Sequence, residues 1–325
     1  MKTPSRNEKW RCHRALLAGV GLLAPLATVA AAPTAEPAYV SLKQDEAVLA
    51  LPAETVWAGG PTMLYDAVTP DGKLLVVTSP STQQLFVFDT ASGKQRAVVK
   101  VGKASKGVKI TPDGKFAYVS NEAEASISVV DLEGHKVVDT IKTKEKPHNV
   151  RFSNDGKTAY VTLQGGAGLG VIDTTTRKLV RVIPLPGLNG PHNLDLSPDG
   201  KTAFVRDTAN HVAVVDLPGG KIRKLIEVGI GHAGIDVTPD GRYVFTGAIG
   251  DQVVTVIDAR RLEVVKKIPV GAGPHGVRAS RDGKQVYVAV AQANKVAVID
   301  TDRLEVVKEY PTGKFPFWVA VRGNN

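Results

Sequence analysis

Thr69-Pro70-Asp71-Gly72-Lys73 decides the fold, because the same stretch returns at Thr111 to Lys115 and, slightly altered, at Ser153 to Lys157, Ser197 to Lys201, Thr238 to Arg242 and Ser280 to Lys284. The Asp positions are 71, 113, 155, 199, 240 and 282, in steps of 42, 42, 44, 41 and 42 residues. A constant period of this size marks an array of stacked structural units. Asp-Gly supplies the positive φ that a tight hairpin demands, so a strand must fold back on the next one at each copy. Short apolar strands follow, as in Ala117-Tyr118-Val119 and Val286-Tyr287-Val288. A polar loop then leads to a third strand ending in Asp, as in Val129-Val130-Asp131 and Val298-Ile299-Asp300, and a fourth such as Glu263 to Ile268 closes the unit. Four antiparallel strands per roughly 42 residues describe one blade of a β-propeller.

The ends of the chain set the number of blades. Ala38 to Leu42 and Ala47 to Leu51 align with the second and third strands of a unit, whereas Pro316 to Val321 aligns with Pro274 to Ala279, a first strand. Two partial units therefore combine into one blade, in which the C-terminal inner strand pairs with the N-terminal strands. The expectation is an all-β, seven-bladed propeller whose closure removes open sheet edges.

Composition narrows what else the chain can be. Lys2, Arg6, Lys9, Arg11 and Arg14 precede an uncharged apolar run, Ala15 to Val29, and the small residues Ala30-Ala31-Ala32. This is the layout of a secretory signal, with an apolar run too short for a membrane span of about 20 residues. The expected division is a signal segment at 1–32 and one propeller domain at 33–325, with the mature protein soluble in the periplasm or secreted. The formal charge of +9 falls to +5 without that segment, since five basic residues and Glu8 leave with it. A charge of that size, spread over the mature chain, argues against a nucleic-acid partner. The single cysteine, Cys12, excludes a disulfide framework, a cysteine-based metal centre and a c-type haem attachment.

The run Gly273-Pro274-His275-Gly276-Val277, continuing through Ser280 and Asp282-Gly283-Lys284 to Val286-Tyr287-Val288, resembles the YVTN-type propeller repeat, as do Tyr118-Val119-Ser120-Asn121 and Tyr160-Val161-Thr162. The resemblance covers residues 38 to 322. It implies an exported seven-bladed propeller of the YncE type, distantly similar to the haem d1 propeller of cytochrome cd1 nitrite reductase. Propellers of this kind hold enzymes, cofactors and binding scaffolds alike, so function has to be read from the site.

In a propeller the inner strands line a central channel, and ligands usually meet its mouth. Seven positions before each Asp-Gly Asp the ring reads Leu64, Lys106, His148, His192, Ala233, His275 and, by alignment, Phe317. His232 stands one residue early in its blade, and His211 belongs to a second-to-third strand loop on the same face. Imidazole is a common transition-metal ligand, so a metal, a haem-like ring or an anion could be held there. The competing reading is that Pro-His-Gly is a turn preferred by the repeat. His275 lies two blades beyond His192, which speaks against one zinc shared by three of these residues. Four positions before each Asp-Gly Asp the ring reads Ala67, Lys109, Arg151, Asp195, Asp236, Arg278 and Ala320. Arg151 with Asp195 and Asp236 with Arg278 are expected as structural inter-blade ion pairs. Lys106, Lys109 and Arg151 favour an anionic ligand.

No G-x-S-x-G, H-E-x-x-H or P-loop motif occurs, and no catalytic residue stands out. The expected function is that of a monomeric binding or scaffold protein taking a protein or small anionic ligand at the mouth, without a required cofactor. The alternative is an enzyme or cofactor protein using the same histidines, lactonase-like or haem d1-associated.

Overall fold

The protein forms seven four-stranded antiparallel sheets, one per repeat. The computed structural model describes residues 36–166 and 168–323. The expected signal segment at 1–32 lies outside the described residues. Blade 3 shows the plan, running from the axis outward through Pro147–Phe152, Thr158–Leu163, Gly168–Asp173 and Lys178–Pro184. The seventh sheet joins both ends of the chain: Pro316–Val321 pairs with Ala38–Leu42, which pairs with Ala47–Leu51 and then Thr55–Ala58. Its register sets Tyr39 opposite Ala320 and Val40 opposite Val319. Among the described residues there is no α-helix, and no helix is long and apolar enough to cross a membrane.

Burial explains the residue pattern along each blade. The two middle strands are covered on both faces by neighbouring blades, so they read as continuous aliphatic runs such as Val212 to Val215 rather than as alternation. Between blades 2 and 3, Tyr118, Ile127, Val129 and Ile141 pack against Val150, Phe152, Ala159 and Val161. Outer strands are mostly exposed, as in Lys178–Pro184, where only Leu179 and Ile183 are covered in part or in full. The turn residues behave as their types require. Gly72 takes φ +78°, and the carboxylate of Asp71 accepts the N–H of Lys73 at 3.0 Å. The Asp that ends the third strand in blades 1, 2, 3, 5 and 6 accepts N–H groups two or three residues on, as Asp300 does from Asp302 and Arg303, both at 2.9 Å.

The inner strands carry the feature that shapes the site. In blades 2, 3, 4 and 6 their register slips near the start, between Ser105 and Val108, Pro147 and Val150, Pro191 and Asn193, and Pro274 and Val277. A bulge of this kind inserts a residue and re-aims its side chain. His148, His192 and His275 sit inside these bulges. Neighbouring inner strands come so close that a Cβ on Gly276 would stand 2.7 Å from Cα of Trp318, so only glycine fits there.

Candidate binding site at the channel mouth

The bulges and the short inner strands of blades 1 and 5, Asp66–Val68 and Ile235–Val237, bring six rings together around the axis. Ring centroids step from Tyr65 to His148 at 5.6 Å, to His192 at 3.8 Å, to His232 at 4.6 Å and to His275 at 5.4 Å. Phe317 follows at 3.9 Å and returns to Tyr65 at 5.3 Å, which closes a collar. His148, His192 and His275 are 3%, 4% and 5% exposed, so the collar fills the channel instead of lining an open tube. His232, one residue out of phase in sequence, fills the gap between His192 and His275 because its blade begins with a loop in place of a long strand. Gly231 takes φ +92° in that loop, and the buried Arg206 anchors it by donating to the carbonyls of Gly229, at 2.7 Å, and Gly231.

Not every candidate reaches the collar. His211 opens the third strand of blade 4 instead of standing in the preceding loop, and its Nδ1 lies 3.6 Å from Asp207, outside the collar. Lys106 is half-buried at the mouth beside the histidines. Lys109 and Arg151 are fully buried one layer deeper. The three cations expected to act together on an anion are therefore divided between two levels.

Burial sets the charge state of the collar. It presses the pKa of His192 and His275 well below the usual histidine value, and the neighbouring imidazoles add to the effect. Burial also lowers His148 and His232. All four are neutral at pH 7. His148 bonds at both nitrogens: Nδ1 lies 2.5 Å from Oε1 of Glu122, and Nε2 lies 2.8 Å from the hydroxyl of Tyr65. Burial acts to raise Glu122, but the hydrogen bond from His148, joined by that imidazole's charge only once acid protonates it, outweighs burial and holds the carboxyl below its ordinary value. The ionised carboxylate accepts from Nδ1–H, so Nε2 accepts the Tyr65 O–H. Burial raises the phenol and keeps its proton in place.

Beneath the collar lies a charged layer. Arg151 Nε donates to Asp195 at 2.8 Å, and its Nη2 is 3.6 Å from Asp236; Arg278 Nη1 donates to Asp236 at 3.2 Å. The carboxylates also bind backbone, Asp195 accepting from Val237 and Asp236 from Ala279, each at 2.7 Å. The Arg278 guanidinium stacks 4.7 Å over Trp318, whose ring is 4.5 Å from Tyr65, so this tryptophan joins the two levels. Asp66 is a third buried carboxyl here, pushed up to about 8 by burial, with Arg278, Ser41 and Lys109 pulling the other way. Burial and the neighbouring Arg151 and Arg278 press Lys109 well below the lysine range. On the far side the channel ends in a pit of about 150 Å³ lined by Arg151, Asp195 and the turns around Pro198 and Pro239.

Tyr65, Trp318, Glu122 and Asp66 escaped the sequence reading. One alignment column would have exposed the two aromatics: six positions before each Asp-Gly Asp stand Tyr65, Gly107, Asn149, Asn193, Gly234, Gly276 and Trp318. The next column holds Asp66 where the other six blades have Val, Leu or Ile. Among the described residues, no group of three or more His, Cys, Asp or Glu side chains is arranged to hold a metal ion.

The family model for YNCE-like β-propellers matches residues 94–198 and 197–323. The chain belongs to the YNCE-like β-propeller family. A solved structure similar to this YNCE-like propeller is a chain of Kuenenia stuttgartiensis hydrazine synthase, 26% identical with TM-score 0.72, covering 79% of this chain and 89% of that one. A functionally unknown protein from Desulfotomaculum acetoxidans DSM 771 superposes with TM-score 0.76 at 16% identity, over 90% of this chain and 100% of that chain, a likeness of fold alone. No curated protein matches the chain.

Proposed function

We propose that this YNCE-like propeller is an exported, soluble, monomeric binding or scaffold protein that takes its ligand at the imidazole collar. The observation that carries this is the collar itself: four neutral imidazoles with Tyr65 and Phe317 close the channel. Interior packing would be met by aliphatic residues, which lose nothing on burial; polar rings gathered at one end serve recognition better. Half-buried Lys106 and His232, beside exposed Ile230, give the mouth both a polar and an apolar edge for an incoming group.

A second reading, an enzyme or cofactor protein, has one observation in its favour. Tyr65, His148 and Glu122 form a continuous proton relay from the channel to the mouth, the arrangement used where a proton must move at a fixed atom.

A thermal-shift screen of the mature protein against carboxylates, phosphates, transition-metal ions and tetrapyrroles tests the site. The same screen is run on a folded variant carrying His148→Ala, His192→Ala and His275→Ala. A ligand whose stabilisation disappears in the variant supports the collar; one that stabilises both proteins equally moves the site elsewhere. Sequencing the N-terminus of exported protein tests the first half of the proposal, with a start between residues 31 and 36 expected.

A further inference from the structure

The direction of every hydrogen bond behind His192 follows from two groups that have no choice. Arg151 can only donate, and its Nη1 lies 3.3 Å from the side-chain oxygen of Asn149. The Asn149 amide nitrogen must then point the other way, and it donates to the side-chain oxygen of Asn193 at 2.5 Å. At the far end the carbonyl of Ala233 can only accept, and the Asn193 amide nitrogen donates to it at 2.8 Å. Both anchors orient the two asparagines the same way. That leaves the Asn193 amide as the donor to Nδ1 of His192, 2.8 Å away. Nδ1 is therefore a lone pair. Since the ring is neutral, its proton sits on Nε2, which has no hydrogen-bond partner among the described residues.

We propose that this relay from a buried guanidinium makes the mouth a hydrogen-bond donor toward an oxyanion ligand, a carboxylate or phosphate, and not a site for a transition metal. The inference rests on the binding reading above and names its ligand class. A metal would need the Nε2 lone pair. Supplying it requires the opposite tautomer, whose Nδ1–H would face the Asn193 amide hydrogens. Turning that amide over would set its oxygen against the Ala233 carbonyl and its NH2 against the NH2 of Asn149. An oxyanion meets no such conflict. It accepts Nε2–H of His192, and Lys106 at the same mouth supplies a cation. His275 adds a buried Nδ1 with no partner, a second donor to a ligand oxygen in the neutral tautomer that carries its proton there.

Long-range ¹H–¹⁵N spectra of the ¹⁵N-histidine-labelled mature protein read the tautomers directly. At pH 7.5 the expected result is a protonated Nε2 on His192 and, independently, a protonated Nδ1 on His148; a protonated Nδ1 on His192 overturns the wiring. Titrations with acetate, inorganic phosphate and Zn²⁺ follow. Acetate or phosphate is expected to shift the His192 Nε2–H signal, with whichever binds tighter identifying the headgroup, and Zn²⁺ is expected not to displace that proton. Asn193→Asp replaces the donor with an acceptor, so it should invert the ring, weaken oxyanion binding about tenfold or more and admit Zn²⁺. His192→Phe, which keeps the ring without its nitrogens, should lose the oxyanion response as a second check. Stoichiometric Zn²⁺ binding by the unaltered protein, or no response to either oxyanion, overturns the inference while leaving the collar as a binding site for another class. Ligand stabilisation that survives the triple alanine variant instead refutes the binding reading and leaves the tautomer assignment standing.

Discussion

Asp66→Asn is the perturbation with the largest calculable consequence. Asp66 is 1% exposed, its Oδ2 accepts the N–H of Ser41 at 2.9 Å, and its Oδ1 has no partner. Asparagine retains the shape and the Ser41 bond, and it leaves one polar atom unpartnered just as the acid does. What changes is the proton. Burial raises this carboxyl from 3.8 to about 8 in the folded protein. A group whose folded pKa is raised contributes stability below its unfolded pKa and loses it as pH rises through the folded one. The native protein should therefore lose stability from this residue between about pH 4 and pH 8, at about 1.4 kcal/mol per pH unit. That amounts to about 3 kcal/mol by pH 6 and roughly 5 to 6 kcal/mol above pH 8. The variant lacks this loss. Urea unfolding of both proteins at pH 4, 6, 7.5 and 9 should show a stability difference that moves steadily in favour of Asp66→Asn. Parallel pH curves, offset by a constant, would mean that Asp66 is ionised throughout and that the charged layer has a different proton count.

Three further outcomes are expected. His192 has its folded pKa depressed, so its contribution is present above about pH 6.5 and is lost as pH falls below that value; His192→Phe should flatten the acid limb by about 1.4 kcal/mol per pH unit, read from urea midpoints between pH 6.5 and 4.5. Arg151→Ala strands Asp195 and part of Asp236 in the channel and should cost about 3 to 5 kcal/mol, whereas Lys73→Ala at an exposed pair should stay within about 0.5 kcal/mol; equal effects in denaturant melts would disprove the burial argument. Deleting residues 316–325 removes buried Trp318, Val319 and Val321, each large apolar side chain contributing about 1.5 to 3 kcal/mol, and exposes the edge of Ala38–Leu42. That truncated protein should be insoluble or melt far below the full chain, and a melting temperature within a few degrees would show that another strand closes the ring.

The blade count, the strand order and the pairing of the two chain ends were legible because a repeat writes the same local physics six times: a glycine where φ must be positive, an Asp that binds the turn, and aliphatic runs where both strand faces are covered. Positions within one repeat column could likewise be read by counting, and so His148, His192 and His275 stand at one level, as do Arg151, Asp195, Asp236 and Arg278. Residues that break the period were harder. His232, a candidate at the mouth that stands one residue out of phase, completes the collar because the inner strand of its blade is only Ile235–Val237. Asp66 begins the other shortened inner strand, Asp66–Val68, and Tyr65 immediately precedes it.

What the sequence alone determined is the architecture, since hairpin turns and strand burial depend on neighbours a few residues away or one period away. The tertiary structure decided which side chains meet across the axis, where residues from blades 1, 3, 4, 5, 6 and 7 lie within a ring's width of each other. It also separated Lys106 from Lys109 and Arg151, cations three residues or one repeat apart in the chain but a full layer apart in depth. Proton positions were decided there as well. A carboxyl, an imidazole or an amide carries no fixed charge state or direction in a sequence; burial raised Asp66 and lowered the histidines, and a donor-only guanidinium oriented the asparagines that fix the tautomer of His192. These effects arise from desolvation and from contacts between blades, and they exist only once the ring has closed.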